Sequence, residues 1–88
     1  MTPERPKRRE RVLAEQVDGE TVLLDLDSGM YFALNDVGAR IWELCDGSRT
    51  VTDIVATISE EYEAPEEIIN ADVNELLGTL SAEQLLAV

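Results

Sequence analysis

Histidine is absent from this chain of 88 residues, and cysteine occurs only once, as Cys45. Histidine is the commonest general base of enzymes, and cysteine and histidine are the usual ligands of zinc and iron–sulfur sites. Cys45 has no basic neighbour in sequence to activate it and falls on the apolar side of a predicted helix, so we assign it to the core. The sequence therefore predicts a protein that is not an enzyme, with no catalytic residue, no metal and no cofactor.

Basic residues are scarce as well, with seven against nineteen acidic ones and a formal net charge of -12. Five of the seven lie among the first eleven residues. From Val12 onward only Arg40 and Arg49 stand against 17 acidic residues, so this part of the chain carries a charge of −15. Such an acidic surface repels phosphate backbones, which argues against binding to nucleic acid. It favours a basic partner.

Long apolar runs are also missing, and none approaches the roughly 20 residues that a membrane-spanning helix needs. The basic N-terminus is not followed by the apolar stretch of a signal peptide. A single cysteine cannot form a disulfide within the chain, so nothing in the sequence requires an oxidising compartment. We therefore expect a cytoplasmic protein that does not bind membranes.

Proline and charge divide the chain into two parts. Residues 1–9 hold two of the three prolines and show no apolar periodicity, so we interpret them as a basic flexible arm. The arm is either a solvated tail or a segment that touches an acidic partner or the acidic body of its own chain. Residues 10–88 are then one small domain.

The first part of this domain has the pattern of an antiparallel meander. Asp18-Gly19 and Ser28-Gly29 are typical of tight turns between strands. The predicted strands are residues 11–17, 20–27 and 30–34. The two faces of the second strand carry Val22, Leu24 and Leu26 on one side and Leu23, Asp25 and Asp27 on the other.

After Leu34 the apolar period becomes helical. We predict a first helix that begins after Asn35, a second that is capped by Thr50 with Asp53, and a third that begins at Pro65. Their apolar stripes are Val37, Ile41, Trp42, Leu44 and Cys45; Val51, Ile54, Val55, Ile58 and Tyr62; and Ile69, Val73, Leu76, Leu77 and Leu80. The last eight residues either extend the third helix or form a packed tail. This order predicts an α+β fold with helices on one side of a small sheet.

The third strand is apolar on both faces and has no partner on one side. Two interpretations stay open from its pattern alone. Either an incoming peptide adds a strand to its free edge, or the third helix covers it.

Several motifs occur together in a characteristic order and spacing. They are Tyr31-Phe32, Leu34-Asn35, Ile41-Trp42, Asp46-Gly47, Thr50, and Asp72-Val73 followed by Leu76, Leu77 and Leu80. This run resembles the family of coenzyme PQQ synthesis protein D, the recognition elements of ribosomally made and modified peptides. The sequence differs from the family pattern near its end, where Glu83-Gln84 rather than a glycine precede two apolar residues.

The resemblance implies a winged helix-turn-helix-like fold, with three strands before three helices. It also implies that the leader segment of a precursor peptide pairs with the third strand and lies between that strand and the third helix. The implied leader-binding residues are Met30, Tyr31, Phe32, Ala33, Leu34, Ile68, Ile69, Asp72, Val73 and Leu76.

The sequence is most like the free-standing members that serve lasso peptide pathways in antibiotic biosynthesis. The resemblance then implies that the chain presents a basic leader to a separate leader peptidase and cyclase. Within the family, the alternative is the PQQ pathway, with a radical SAM enzyme as partner. A winged-helix DNA-binding regulator is a third alternative, but Glu66, Glu67, Asp72 and Glu75 would give its third helix the wrong charge.

Overall fold

Three antiparallel strands precede three helices, as the sequence predicts. The computed structural model describes residues 4–87. The strands are β1 (Val12–Val17), β2 (Glu20–Asp25) and β3 (Tyr31–Leu34), and the helices are α1 (Asp36–Leu44), α2 (Val51–Tyr62) and α3 (Glu66–Ala82). The sheet order is β1-β2-β3, so β1 and β3 are its two edges. The α+β fold class is confirmed.

The hairpin between β1 and β2 follows from its turn residues. Val17 lies opposite Glu20, and the two residues between them, Asp18 and Gly19, both have positive φ angles of 49° and 83°. Two consecutive positive φ angles match the right-handed twist of the flanking strands, which is why Asp-Gly is favoured there. This turn fixes the register of the sheet.

The two faces of β2 alternate as expected, but the face with fewer apolar residues is the buried one. Leu23 is fully buried, with Thr21 and Asp25 on the same side, while Val22 and Leu24 are half-buried on the other. Asp25 is satisfied locally, because its carboxylate accepts the backbone N–H of Asp27 at 2.9 Å and pairs with Arg11 at 3.3 Å. These hydrogen bonds, that to Asp27 first, hold the pKa of Asp25 below its usual value.

The helices begin where their capping residues predict. The Asn35 side chain accepts the backbone N–H of Gly38 at 2.8 Å, and Thr50 and Asp53 form a reciprocal capping box with two 3.1 Å bonds. The sheet and all three helices contribute side chains to one apolar core, although Tyr62, predicted on the α2 stripe, is 42% exposed. Within residues 4–87, no helix is both long and apolar enough to cross a membrane.

The end of α3 turns back on itself and forms a packed tail. Leu85 N–H donates to the carbonyl of Leu80, and Gln84 N–H to that of Ser81, which is the Schellman pattern. Gln84 has a φ of 59°, the left-handed conformation that glycine adopts most easily. Leu85 and Leu86 are buried after this turn. Of the two predicted alternatives, the packed tail is therefore correct.

The described part of the basic arm is bound to the domain, which differs from the expected flexible segment. Lys7 and Arg8 form bridges to Asp46 and Leu86, and Pro6 is fully buried. The physical reason is that strand-like pairing with the loop after α1 and with the C-terminal tail satisfies backbone groups of both segments. Residues 1–3 of the predicted arm lie outside the described residues.

Arg8 also supplies a charge that α1 lacks. This helix has no basic residue in its last turn. The Arg8 guanidinium donates hydrogen bonds to the carbonyl oxygens of Trp42 and Glu43, where the partial negative charge of the helix end is concentrated. The arm thus touches its own chain through α1.

Candidate functional site

The outer edge of β3 has unpaired backbone groups. Opposite residues of an antiparallel pair alternate between those that exchange hydrogen bonds and those that do not. Asp25 donates its backbone N–H to the carbonyl of the opposite Met30 at 3.0 Å, which marks a bonded pair. Two residues further on, Phe32 is therefore bonded to β2. Tyr31 and Ala33 direct their N–H and C=O groups away from the sheet, and among residues 4–87 no strand pairs with them there.

Beside this edge lies a groove of about 460 Å³ between β3, the start of α1 and α3, which we call the β3–α3 groove. Its lining residues are Phe32, Ala33, Leu34, Asn35, Val37, Gly38, Ile41, Ile69, Asp72, Glu75, Leu76 and Thr79. Leu34, Ile41 and Ile69 are nearly fully buried and form an apolar floor. The groove therefore offers apolar surface next to unpaired backbone groups.

The α3 wall of the groove follows from helical spacing. Residues three, four and seven apart lie on one side of a helix, so Asp72, Glu75, Leu76 and Thr79 line up along the groove. At the opposite wall, Gly38 allows Asn35 and Leu34 to pack closely, since a Cβ there would lie 3.2 Å from the Asn35 Oδ1 atom and 3.3 Å from a Leu34 methyl group. The groove is thus bounded by an acidic helix and a close-packed helix N-terminus.

The charge of the groove is negative. Asp72 and Glu75 are exposed, and across residues 4–87 neither carboxylate has a salt bridge or a side-chain hydrogen bond. The two basic residues that follow Val12 are engaged elsewhere: Arg40 pairs with Glu61 at 2.7 Å and Arg49 with Asp46 at 2.7 Å. A ligand with basic side chains complements this groove.

Six of the ten leader-binding residues implied by the resemblance line the groove, namely Phe32, Ala33, Leu34, Ile69, Asp72 and Leu76. The other four lie elsewhere. Tyr31 is on the open edge, with its side chain on the opposite sheet face and 72% exposed. Met30 borders a second depression with Ala82 and Gln84, Ile68 is exposed on α3, and Val73 is fully buried in the core.

Six groove residues were not among those implied, and two of them had a detectable signal in the sequence. They are Asn35, Val37, Gly38, Ile41, Glu75 and Thr79. Glu75 and Thr79 lie three and seven residues after Asp72, so helical spacing alone predicts that they share its face. The contribution of α1 had no comparable local signal, because it depends on how that helix packs between β3 and α3.

Cys45 is buried, as predicted, and is not positioned to react. Burial raises the pKa of its thiol to about 12, although Arg8 acts in the opposite direction. The thiolate, which is the reactive form of cysteine, is therefore disfavoured at neutral pH.

Comparison with known proteins identifies the family of the chain. The family described as coenzyme PQQ synthesis protein D (PqqD) matches residues 20–86, which include β2, β3 and all three helices. The chain belongs to the PqqD family. A curated PqqD relative, the PqqA binding protein of Rhizobium meliloti (strain 1021), is 33% identical over 78 residues, covering 89% of this chain and 78% of that protein.

Solved structures of similar proteins share the fold. TbiB1 in complex with the TbiA(beta) leader peptide is 34% identical, with a TM-score of 0.79 over 92% of this chain and 94% of that one. Lasso peptide synthetase B1 complexed with its leader peptide is 28% identical, with a TM-score of 0.78 over 96% and 98%. The PqqD part of Methylobacterium extorquens PqqCD, a stand-alone RiPP recognition element, is 27% identical, with a TM-score of 0.78 over 94% and 88%.

Proposed function

We propose that this PqqD-family protein is a non-catalytic adaptor that binds the leader segment of a ribosomally made precursor peptide. The leader adds a strand to the open edge of β3 and seats its side chains in the β3–α3 groove. The observation that carries the proposal is the outward direction of the Tyr31 and Ala33 backbone groups beside an apolar, acidic groove.

The energetics of such binding are reasonable. Each backbone hydrogen bond to Tyr31 or Ala33 contributes about 0.5–1.5 kcal/mol net. Two or three apolar leader side chains on the groove floor add about 1.5–3 kcal/mol each. Ordering a disordered peptide opposes binding by several kcal/mol, so we expect a Kd between roughly nanomolar and micromolar.

Two pathways are candidates for the precursor. A lasso peptide pathway is supported by the similarity to a lasso peptide synthetase B1 with its leader, and the adaptor would then serve a leader peptidase and a cyclase. The PQQ pathway is supported by the similarity to a PqqA binding protein, and the partner would then be a radical SAM enzyme. The 34% identity to TbiB1, whose structure holds a leader peptide, does not separate the two pathways. We favour the lasso pathway because of the sequence motifs around β3 and α1.

Leader titration tests the proposal. Where a precursor peptide is encoded in the same gene cluster, its leader segment is labelled with a fluorophore, and the anisotropy is followed as the protein is added. We expect saturable binding with a Kd below about 10 µM, and at least about tenfold weaker binding of a scrambled leader. Equal binding of both peptides would contradict recognition of the leader.

Absence of catalysis is tested with the same components. The purified protein, free of other enzymes, is incubated with the full precursor, and the peptide mass is followed. We expect no cleavage and no cyclisation, since the only thiol, Cys45, is buried. Turnover that is lost in Cys45→Ala would overturn the adaptor proposal.

A further inference from the structure

The C-terminal end of α1 is completed by the basic arm rather than by the helix itself. Helix α1 has nine residues and no basic residue in its last turn. So short a helix is marginal without packing and caps, since its last carbonyl groups have no partner within the helix. The Arg8 guanidinium donates to the carbonyl oxygens of Trp42 and Glu43, and the Arg8 backbone N–H donates to that of Cys45 at 2.9 Å. One residue of the arm thus binds three carbonyl groups at this helix end.

The arm is also fixed to the loop that follows α1. Gly47 donates its backbone N–H to the carbonyl of Pro6 at 2.9 Å, and the Arg5 guanidinium donates to the carbonyl of Ser48 at 3.0 Å. Gly47 has a φ of 84°, and a Cβ at this position would lie 3.2 Å from the Lys7 side chain. Pro6 is fully buried. The arm and this loop therefore form one close-packed contact.

On its other side, the arm is fixed to the tail that follows α3. Arg9 donates its backbone N–H to the carbonyl of Leu85 at 3.2 Å, and Ala87 donates to that of Lys7 at 2.7 Å. Leu85 and Leu86 are buried, so the tail is itself attached to the core. Helix α3 packs mainly against α2 and has little direct contact with α1. The arm is therefore a link between the ends of α1 and α3.

These two helices form the helical walls of the β3–α3 groove. Ile41 of α1 and Leu76 of α3 both line it. Ile41 directly precedes Trp42, whose carbonyl accepts a hydrogen bond from Arg8. Because α1 is only about 14 Å long, holding one end of it fixes the direction of the whole helix. The contacts of the arm therefore bear on the width of the groove.

We propose that Arg8 is a positioning residue for the leader. Through Arg8 the arm holds the end of α1, and through its bonds to Leu85 and Ala87 it holds the tail of α3. The docked arm thereby keeps the two walls at the separation that a leader fills. When the arm detaches, α1 is free to move relative to α3, and the groove fits the leader less well. The inference rests on the proposed function, since it names a part of the chain that sets leader affinity.

Thermodynamic linkage gives this proposal a second, reciprocal consequence. If the docked arm strengthens leader binding by some factor, the bound leader must strengthen docking of the arm by the same factor. Amides that exchange by local detachment of the arm respond to a ligand in the groove only when the two sites are coupled. A residue that merely stabilises the fold does not produce this response.

The first experiment compares two variants that each remove one positive charge from the arm. Arg8→Gln loses the side-chain bonds to α1, whereas Lys7→Gln is the control, because the Lys7 side chain is exposed and makes neither bond. Labelled leader is titrated at a temperature where urea titration shows each protein to be fully folded. We expect the leader Kd to rise at least about fivefold for Arg8→Gln and to stay within about twofold of wild type for Lys7→Gln. Arg8→Lys keeps a cationic donor and recovers part of the affinity.

The second experiment measures amide hydrogen exchange of the wild-type protein with and without saturating leader. The reporters are the N–H groups of Arg8, Gly47 and Ala87, which are bonded across the contacts of the arm and lie outside the groove. We expect their exchange to slow at least about fivefold when the leader is bound. This measurement needs no variant, so it decides even if Arg8→Gln fails to fold.

Three results would overturn the inference. An unchanged leader Kd in fully folded Arg8→Gln would leave the arm with a purely structural role. An equal loss of affinity in Lys7→Gln would assign the effect to the charge of the arm. Equal exchange of the three amides with and without leader would show that arm and groove are not coupled. Failure of the wild-type protein to bind leader would reject the proposed function, and this inference with it.

Discussion

At the scale of single residues, Asp72 allows a proposed leader contact to be distinguished from a structural one. A carboxylate on a helix often holds a neighbouring element in place. In the described part of the chain, Asp72 has no salt bridge and no side-chain hydrogen bond, and it lies on the wall of the β3–α3 groove. Its position therefore favours contact with a basic leader residue over a role in stability.

Replacing Asp72 tests that distinction. We expect Asp72→Ala to weaken leader binding by about 1–3 kcal/mol, because a charged hydrogen bond at the groove is lost. The thermal unfolding midpoint stays unchanged, since no partner within the chain is removed. Glu43→Ala, on an exposed position of α1 outside the groove, is the matched control for affinity. A lowered midpoint with unchanged affinity would assign Asp72 a structural role.

Gln84 shows strain at a single residue. It adopts the left-handed conformation that the Schellman turn after α3 requires, with a φ of 59°. We expect Gln84→Gly to raise the free energy of unfolding by about 0.5–1 kcal/mol in urea titrations. Glu83→Gly is the control, because Glu83 has a φ of −84° and gains nothing from glycine. Equal changes in both variants would contradict strain at Gln84.

The stability of the fold depends on pH through Asp46. Its pKa is lowered from 3.8 to about 2, first by the hydrogen bonds of the Ser48 side chain and backbone and then by Arg49. Since the folded-state pKa is the lower one, its contribution to stability is present above about pH 4 and is lost as pH falls towards 2. We expect wild type to lose more stability than Asp46→Asn between about pH 6 and about pH 2.5 in urea titrations. Identical losses would show that Asp46 is not linked to folding.

At the scale of elements, sequence pattern predicts much of this fold because caps and turns act locally. Asn35, Thr50 and Asp18-Gly19 mark the ends of elements through contacts with near neighbours in sequence. The buried face of β2 and the bound arm were not predictable in this way. Asp25 can be buried because the backbone N–H of Asp27, in the turn after β2, and Arg11 both bind its carboxylate. The arm is held by the loop after α1 and by the C-terminal tail.

The candidate site, like the fold, was predictable from sequence only in part. The apolar character of β3 and the helical spacing of α3 are visible in the sequence. This spacing also places Glu75 and Thr79 on the same side of α3 as Asp72. The direction of the β3 backbone groups depends on pairing with β2, which sequence alone leaves open. The wall formed by Val37, Gly38 and Ile41 depends on the packing of three elements.

The edge of β3 carries the next prediction. Ala33 directs its N–H outward, whereas Phe32 donates inward to β2. We expect Ala33→Pro to weaken leader binding at least about tenfold with a small change in the unfolding midpoint, because proline removes one outward donor. Phe32→Pro breaks the sheet and lowers the midpoint. Ala33→Thr keeps the N–H and is the control for side-chain effects. Equal and small losses of affinity in both proline variants would move the leader site elsewhere.

At the scale of the whole molecule, charge is the dominant feature. The chain carries -12, and no basic residue lines the β3–α3 groove. An acidic surface accelerates the encounter with a basic peptide, and salt screens that attraction. The apolar floor and the backbone edge are less sensitive to salt, so they define the affinity that remains.

The salt dependence of leader binding therefore separates the contribution of charge from that of the apolar floor and the backbone edge. We expect the leader Kd to rise between about 50 mM and about 500 mM salt. The rise is smaller in the double variant Asp72→Asn with Glu75→Gln, which removes the groove charges. A Kd that does not change with salt would mean that apolar contacts and backbone pairing carry binding alone.

The central claim, that a leader strand pairs with the open edge of β3, is tested most directly by amide hydrogen exchange followed by NMR. In the free protein, we expect the amides of Tyr31 and Ala33 to exchange quickly and that of Phe32 to be protected by its pairing with β2. With saturating leader, we expect the Ala33 and Tyr31 amides to exchange at least about tenfold more slowly, while the exchange of Phe32 changes little. Fast exchange at both Tyr31 and Ala33 in the presence of bound leader would contradict strand addition.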